Sequence, residues 1–161
     1  MYLLDSNILM EAARTYYRFD YAPTYWTWLK EQAVSGTLAS VESVFHELQR
    51  GNDKLSEWVK DELPSSFWLG PNLDDLQNAR KLVAWSLEPE NEFRQAAIDE
   101  FADSADMMLI AQAKSIRATV VSREVSNPES KKRILLPDAA AFLGVTCLQP
   151  WDVYGALGLR L

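Results

Sequence analysis

The chain has 161 residues, 48% of them hydrophobic and 24% charged, which fits one globular domain over 1–161 and excludes a disordered chain. Its formal net charge of −7 argues against holding nucleic acid by bulk electrostatics. It leaves room for a phosphodiester handled through a bound metal and a small basic patch, because carboxylates reserved for cations also produce an acid excess.

In chain order, Tyr2-Leu3-Leu4 is expected to form a short buried strand, and Asp5-Ser6-Asn7 supplies cap chemistry before an apolar helix start at Ile8-Leu9-Met10. An aromatic loop, Tyr16 to Tyr21, leads to Pro23. The next helix opens there, carries Tyr25, Trp26, Trp28 and Leu29, and closes at Gly36. Leu38-Ala39 is the second expected strand, with Ser40 capping a helix from Val41 to Arg50. A helix from Asp53 to Leu63, a strand at Phe67-Trp68-Leu69, and a long helix capped by Asn72 and Asp75 follow; Glu88-Pro89 ends the last. The pattern then predicts a helix from Asn91 to Ala102 running into another that reaches Ala113. Thr119-Val120-Val121 is a strand, Ser122 to Arg133 a polar loop, and Pro137-Asp138 opens a short helix closed by Gly144. Thr146-Cys147-Leu148 and a helical turn from Trp151 to Leu157 complete the chain.

Short apolar strands alternating with helices predict an α/β fold, a three-layer α/β/α sandwich around a mostly parallel sheet. Right-handed crossovers bring the strand-to-helix turns of such a sheet to one edge, where sites form. The single Cys147 and single His46 exclude an internal disulfide, a thiolate zinc site and a multi-histidine zinc site. No apolar run has the length of a membrane span. Met1 to Asp5 has no basic region, so no signal peptide and a cytoplasmic location are expected.

Four acids stand near that edge. Asp106 falls within the apolar stripe of Ala102, Leu109, Ile110 and Ala113, where an acid needs a partner, a cation or a proton. Asp5 follows the first strand, where a helix cap and a cation ligand are equally good readings, and one carboxylate can serve as both. Glu124 lies just beyond Val121, a place where most acids are merely hydrated. On the helix after the second strand, Glu47 and Glu42 flank the inward face from opposite sides, and geometry does not choose between them; His46 points outward. Asp138 follows Pro137 at a helix start and reads as a cap. Carboxylates converging without basic partners repel one another, and a hard cation resolves the conflict. Oxygen donors alone point to Mg²⁺ or Mn²⁺.

Leu3-Leu4-Asp5-Ser6-Asn7 resembles the opening of PIN-domain nucleases, and Phe45-His46-Glu47-Leu48 is similar to their second block, which selects Glu47 over Glu42. Ala105-Asp106-Met107 and Val121-Ser122-Arg123-Glu124 resemble the third and fourth, with Glu124 where Asp is more usual. The resemblance spans Leu3 to Glu124, and the long insert between Gly51 and Phe101 suggests a larger relative of VapC-type toxins. It implies a PIN-like domain that cleaves RNA with Asp5, Glu47, Asp106 and Glu124 as catalytic, metal-holding acids. Ser6, Asn7 and Ser122 would support them, with Arg123, Lys131, Lys132 and Arg133, and also Lys114, on the RNA backbone. The aromatic loop from Tyr16 to Tyr25 has three readings: base stacking, an antitoxin interface, or simple packing. It further implies an antitoxin partner and allows a homodimer. The rival is a catalytically silent PIN-fold binding module. A haloacid-dehalogenase-type phosphatase needs a second acid where Asn7 stands and is set aside.

Overall fold

The computed structural model describes residues 1–161. Five short strands, β1 (Tyr2–Leu4), β2 (Leu38–Val41), β3 (Trp68–Leu69), β4 (Thr119–Val121) and β5 (Cys147–Leu148), form one parallel sheet in the order β3-β2-β1-β4-β5. Nine helices surround it: α1 (Ser6–Glu11), α2 (Pro23–Val34), α3 (Glu42–Gln49), α4 (Lys54–Glu62), α5 (Leu73–Ser86), α6 (Gln95–Asp103), α7 (Ala105–Ile116), α8 (Leu136–Phe142) and α9 (Pro150–Ala156). The expected α/β sandwich is therefore present, with a sheet that is wholly parallel. The strands are apolar on both faces, as a sheet covered on both sides requires: Leu3, Leu4, Leu38, Val41, Val120 and Val121 are all fully buried.

Aromatic packing assembles one helical layer. Phe19 stacks on Trp26 of α2, Trp58 of α4 meets the same indole edge-on, and Tyr25 of α2 shares a hydroxyl bond of 2.8 Å with Tyr154 of α9. Burial pushes the Tyr154 hydroxyl above its ordinary value, so this pair stays neutral. In the aromatic loop, Tyr17 stacks on Tyr25, so Tyr17 and Phe19 are packing groups. The opposite layer holds α5, α6, α7 and α8, with α7 against α5, α6 and α8 and the ring of Trp85 on that of Phe142. Helix α3 touches both α4 and α7.

Three local expectations are corrected. Ser40 does not cap a helix: β2 continues to Val41, and the Ser40 hydroxyl donates to the Leu4 carbonyl at 2.7 Å, tying β2 to β1. The predicted helix from Asn91 begins only at Gln95, because Pro89 to Asn91 form a tight turn and Glu92 takes the left-handed conformation with φ 54°. The helices flanking Asp103 are not continuous. Ser104, in an extended conformation with φ −87° and ψ 158°, ends α6 and starts α7. Ala102 is consequently exposed on α6 and shares no stripe with Leu109 and Ile110.

The capping predictions stand where the side chain has a local backbone target. Asn72 and Asp75 form a reciprocal capping box, with bonds of 3.0 and 2.8 Å. Gly36, at φ +76°, closes α2 in a conformation that costs other residues.

Candidate functional site

In this strand order the connections diverge between β1 and β4, and ligands of open parallel sheets bind at such a point, beyond the carboxyl ends of the strands. The sequence places an acid at the end of each strand there: Asp5 directly after β1 and Glu124 three residues after β4. Helices running back toward the sheet begin at the same edge, so α7 brings Asp106 in its first turn and α3 brings Glu47.

Asp5 is 1% exposed. Its Oδ2 accepts from the Ser122 hydroxyl at 3.0 Å, and its Oδ1 accepts from the Ser6 hydroxyl at 3.4 Å and the Asn7 amide at 3.5 Å. It is thus a helix cap, held from β4 as well. Burial raises its pKa to about 6; the Ser122 bond opposes the rise, while the Glu124 and Glu47 charges add to it.

Asp106 is half-buried at the start of α7, where helix amides should favour its charge. Its pKa nevertheless stands at about 8. Dehydration is the largest cause, the charges of Asp5, Glu124 and Glu47 reinforce it, and the Arg133 guanidinium pulls the other way. The carboxylate borders a cavity of about 110 Å³ whose walls include Ser6, Asn7, Glu47, Ser104 and Arg133. The Ser104 break leaves Asp106 in the first turn of α7.

The structure also separates the two glutamates. Glu47 lines the cavity with Asp106, whereas the exposed Glu42 carboxylate lies beside Gly70 beyond β3. His46 is exposed, as expected. Glu124 is present but engaged: one oxygen accepts from Arg133 at 2.6 Å and the other from the Leu136 amide at 2.7 Å. Asp138 does not cap its own helix. It holds the polar loop through the Ser126 hydroxyl and, at 3.0 Å, the Asn127 amide.

Of the basic residues, Arg133 alone lines the acid cavity. Arg123 is turned to Glu11 and lies over the rings of Tyr16 and Trp151, 4.9 and 5.3 Å from their centres. Lys131 sits over Phe93, 5.6 Å from its centre, and Lys132 is exposed on the same loop. Lys114, near the C-terminal end of α7, lies at the opposite end of that helix from Asp106. Sequence reading passed over one wall residue, Glu100 of α6. An exposed helical acid carries no local signal that distinguishes it from its neighbours.

No three His, Cys, Asp or Glu side chains form a ready-made metal-binding group. Repelling carboxylates are expected to stand apart until they share a cation. Of the four candidate acids, Glu47 and Asp106 line the cavity, while Asp5 and Glu124 lie off its wall and act on Asp106 through their charge. Carboxylates, hydroxyls and an amide, with no thiolate or imidazole on the wall, suit a hard ion. No helix is long and apolar enough to cross a membrane.

A family model described as a domain of unknown function, DUF4411, matches residues 2–161. No curated protein and no solved structure matches the chain.

Proposed function

The chain belongs to the DUF4411 family, and from the geometry of its acids we propose that it is a metal-dependent ribonuclease related to the PIN domains. One observation carries this reading: Glu47 and Asp106 face one cavity beyond the strand ends, and Asp106, although it opens a helix, is pushed up to about 8, first by burial and then by the charges of Asp5, Glu124 and Glu47. A structural acid would be expected to have a cationic partner or donors sufficient to keep it charged. Asp106 has only the distant pull of Arg133, which is itself paired with Glu124.

Asp5, Glu47 and Asp106 would hold Mg²⁺ or Mn²⁺. Such an ion, when bound, supplies an activated water and neutralises charge developing on the phosphodiester. The other roles belong to the chain. Ser122 and Ser6 fix the orientation of Asp5. Asn7 borders the cavity and offers its side chain to the ligand shell. Glu124 acts through its charge and through Arg133, which it holds beside Asp106, and Arg133 meets the RNA backbone. Lys131 and Lys132 extend the positive edge on the same loop.

A toxin role, countered by an antitoxin protein, follows from the VapC resemblance and rests on analogy. The second reading, a binding module whose acids serve structure alone, draws on another surface. Leu73, Leu76 and Leu87 of α5 and its C-terminus are exposed by 77%, 49% and 55%. They border an apolar groove with Met107 and Met108.

The deciding experiment incubates the purified protein with a panel of RNAs in Mn²⁺. Cleavage that stops with a chelator and is absent in Asp106→Asn is expected. Intact RNA throughout the panel would sink the nuclease reading. Expression of the chain alone is expected to slow bacterial growth, and normal growth with abundant soluble protein would remove the toxin role.

A further inference from the structure

Arg133 is a wall of two cavities. On one side lies the acid cavity; on the other lies a hollow of about 260 Å³ between the end of α5, the segment before α6, the polar loop and α8. We propose that this second hollow is a nucleobase subsite, seating one base of a strand whose backbone passes Arg133 into the acid cavity. The position of that backbone rests on the nuclease reading.

The hollow is small beside pockets for drug-sized ligands, which run to about 300–1,000 Å³, so it suits a single ring system. Its walls provide what a base needs. Trp85 and Phe93 meet edge-on, with centres 5.3 Å apart and an interplanar angle of 68°. Phe142 covers one face of Trp85 and Lys131 stands over Phe93, so a seated base would meet the ring surface that these two leave. Asn127 and Ser130 add polar side chains to the lining. Lys131 and Arg133 put two cations on the same wall, suited to the phosphates flanking a seated base.

The hollow is also fastened from several directions. Phe142 stacks on Trp85 from α8, with rings 18° from parallel. The Asn91 side chain donates to the Trp85 carbonyl at 2.6 Å. The Arg94 amide donates to the Lys131 carbonyl at 3.0 Å, binding the segment before α6 to the polar loop. Asp138 fixes Ser126 and Asn127.

The test measures anisotropy of a labelled single-stranded oligoribonucleotide of about eight nucleotides, within the range one small site covers. A second oligomer has the same phosphates and abasic sugars. Both are titrated into wild-type protein, in chelator and in Ca²⁺. The base-bearing strand is expected to bind about tenfold tighter, in keeping with one stacked base. Phe93→Ala and Asn127→Ala are each expected to erase most of that preference while leaving abasic binding unchanged, and Phe93→Tyr to keep it. Asn127 lies on an exposed loop, so its variant reports on the hollow even where Phe93→Ala fails to fold. Equal losses on both strands, unchanged preference in both variants, or wild-type protein that binds neither strand would overturn the subsite. Cleavage in Mn²⁺ is scored separately. A wild type that cleaves while these variants bind normally removes only the subsite. One that prefers the base-bearing strand through Phe93 and Asn127 but never cleaves removes only the nuclease.

Discussion

The hydroxyl of Ser122 donates to Asp5 Oδ2 at 3.0 Å across 117 residues of chain, and it also accepts from the Glu124 amide at 3.2 Å. One buried serine therefore joins the ends of β1 and β4, orienting the Asp5 carboxylate and holding the main chain at Glu124. Ser122→Ala leaves a buried carboxylate oxygen short of a donor, at a cost of about 1–3 kcal/mol. It also removes the bond that restrains the Asp5 pKa, so that group should rise further above about 6. Denaturant melts and a carboxylate titration followed by NMR check both. An unchanged Asp5 titration would show that burial alone sets it.

Asp106→Asn is expected to abolish cleavage and, above about pH 8 where the folded Asp106 has given up its proton, to raise the stability of the metal-free protein by about 1 kcal/mol, or about 2–4 °C. The change is nearly isosteric and removes a charge that three other acids oppose. A variant that melts below wild type without metal would mark Asp106 as a structural acid.

Mn²⁺ is expected to raise the melting temperature, because the acids converge only in the native state. At about ten times the dissociation constant the gain is about 1.4 kcal/mol, or about 3–6 °C. Asp5→Asn, Glu47→Gln and Asp106→Asn should each shrink the shift. Glu42→Gln should leave it intact, since that side chain lies beside Gly70. Glu124→Gln should fall between, as its oxygens already serve Arg133 and Leu136. An equal shift in every variant would dismiss the site.

Stability of the metal-free protein should fall as pH rises. The unfolded acids release protons near 3.8, whereas the folded Asp5 keeps its proton to about 6 and Asp106 to about 8. Across that window the native state binds more protons than the unfolded chain, so raising pH favours unfolding. Melts in chelator from about pH 5 to about pH 8.5 test this. Asp106→Asn should flatten the upper part of the curve. A stability that climbs through this range would contradict the mutual repulsion of the acids.

Arg133→Ala should weaken binding of every RNA to a similar degree and reduce the salt dependence by about one phosphate contact. Its stability cost should stay below about 1 kcal/mol, since the side chain is 50% exposed. Arg123→Ala should change RNA binding far less, because that guanidinium is turned to Glu11, Tyr16 and Trp151. Binding isotherms at two salt concentrations separate the cases, and a larger loss from Arg123→Ala would reverse the assignment.

Features that depend on neighbours in the chain were legible in the sequence. The five strands, the Asn72–Asp75 box, the stop at Gly36 and the position of Asp5 after β1 all follow from short-range pattern and cap chemistry. The three-layer arrangement followed as well, since buried strands alternating with helices have few other ways to cover both faces of a sheet. Contacts between distant segments were decided only by the tertiary structure. Ser40 could satisfy its hydroxyl as a cap or across the sheet, and the Leu4 carbonyl, 36 residues away, settled it. Ser104 broke a helix that apolar spacing alone carried through, and so put Asp106 in a first turn. The resemblance of Phe45-His46-Glu47-Leu48 already singled out Glu47 over Glu42, but that Glu47 shares a cavity wall with Asp106 depends on which flank of α3 meets α7. The engagement of Glu124 by Arg133 and Leu136 depends on where the polar loop returns. A residue's spacing determines the face it occupies on its own helix or strand, whereas the group opposite that face is set by how the elements pack.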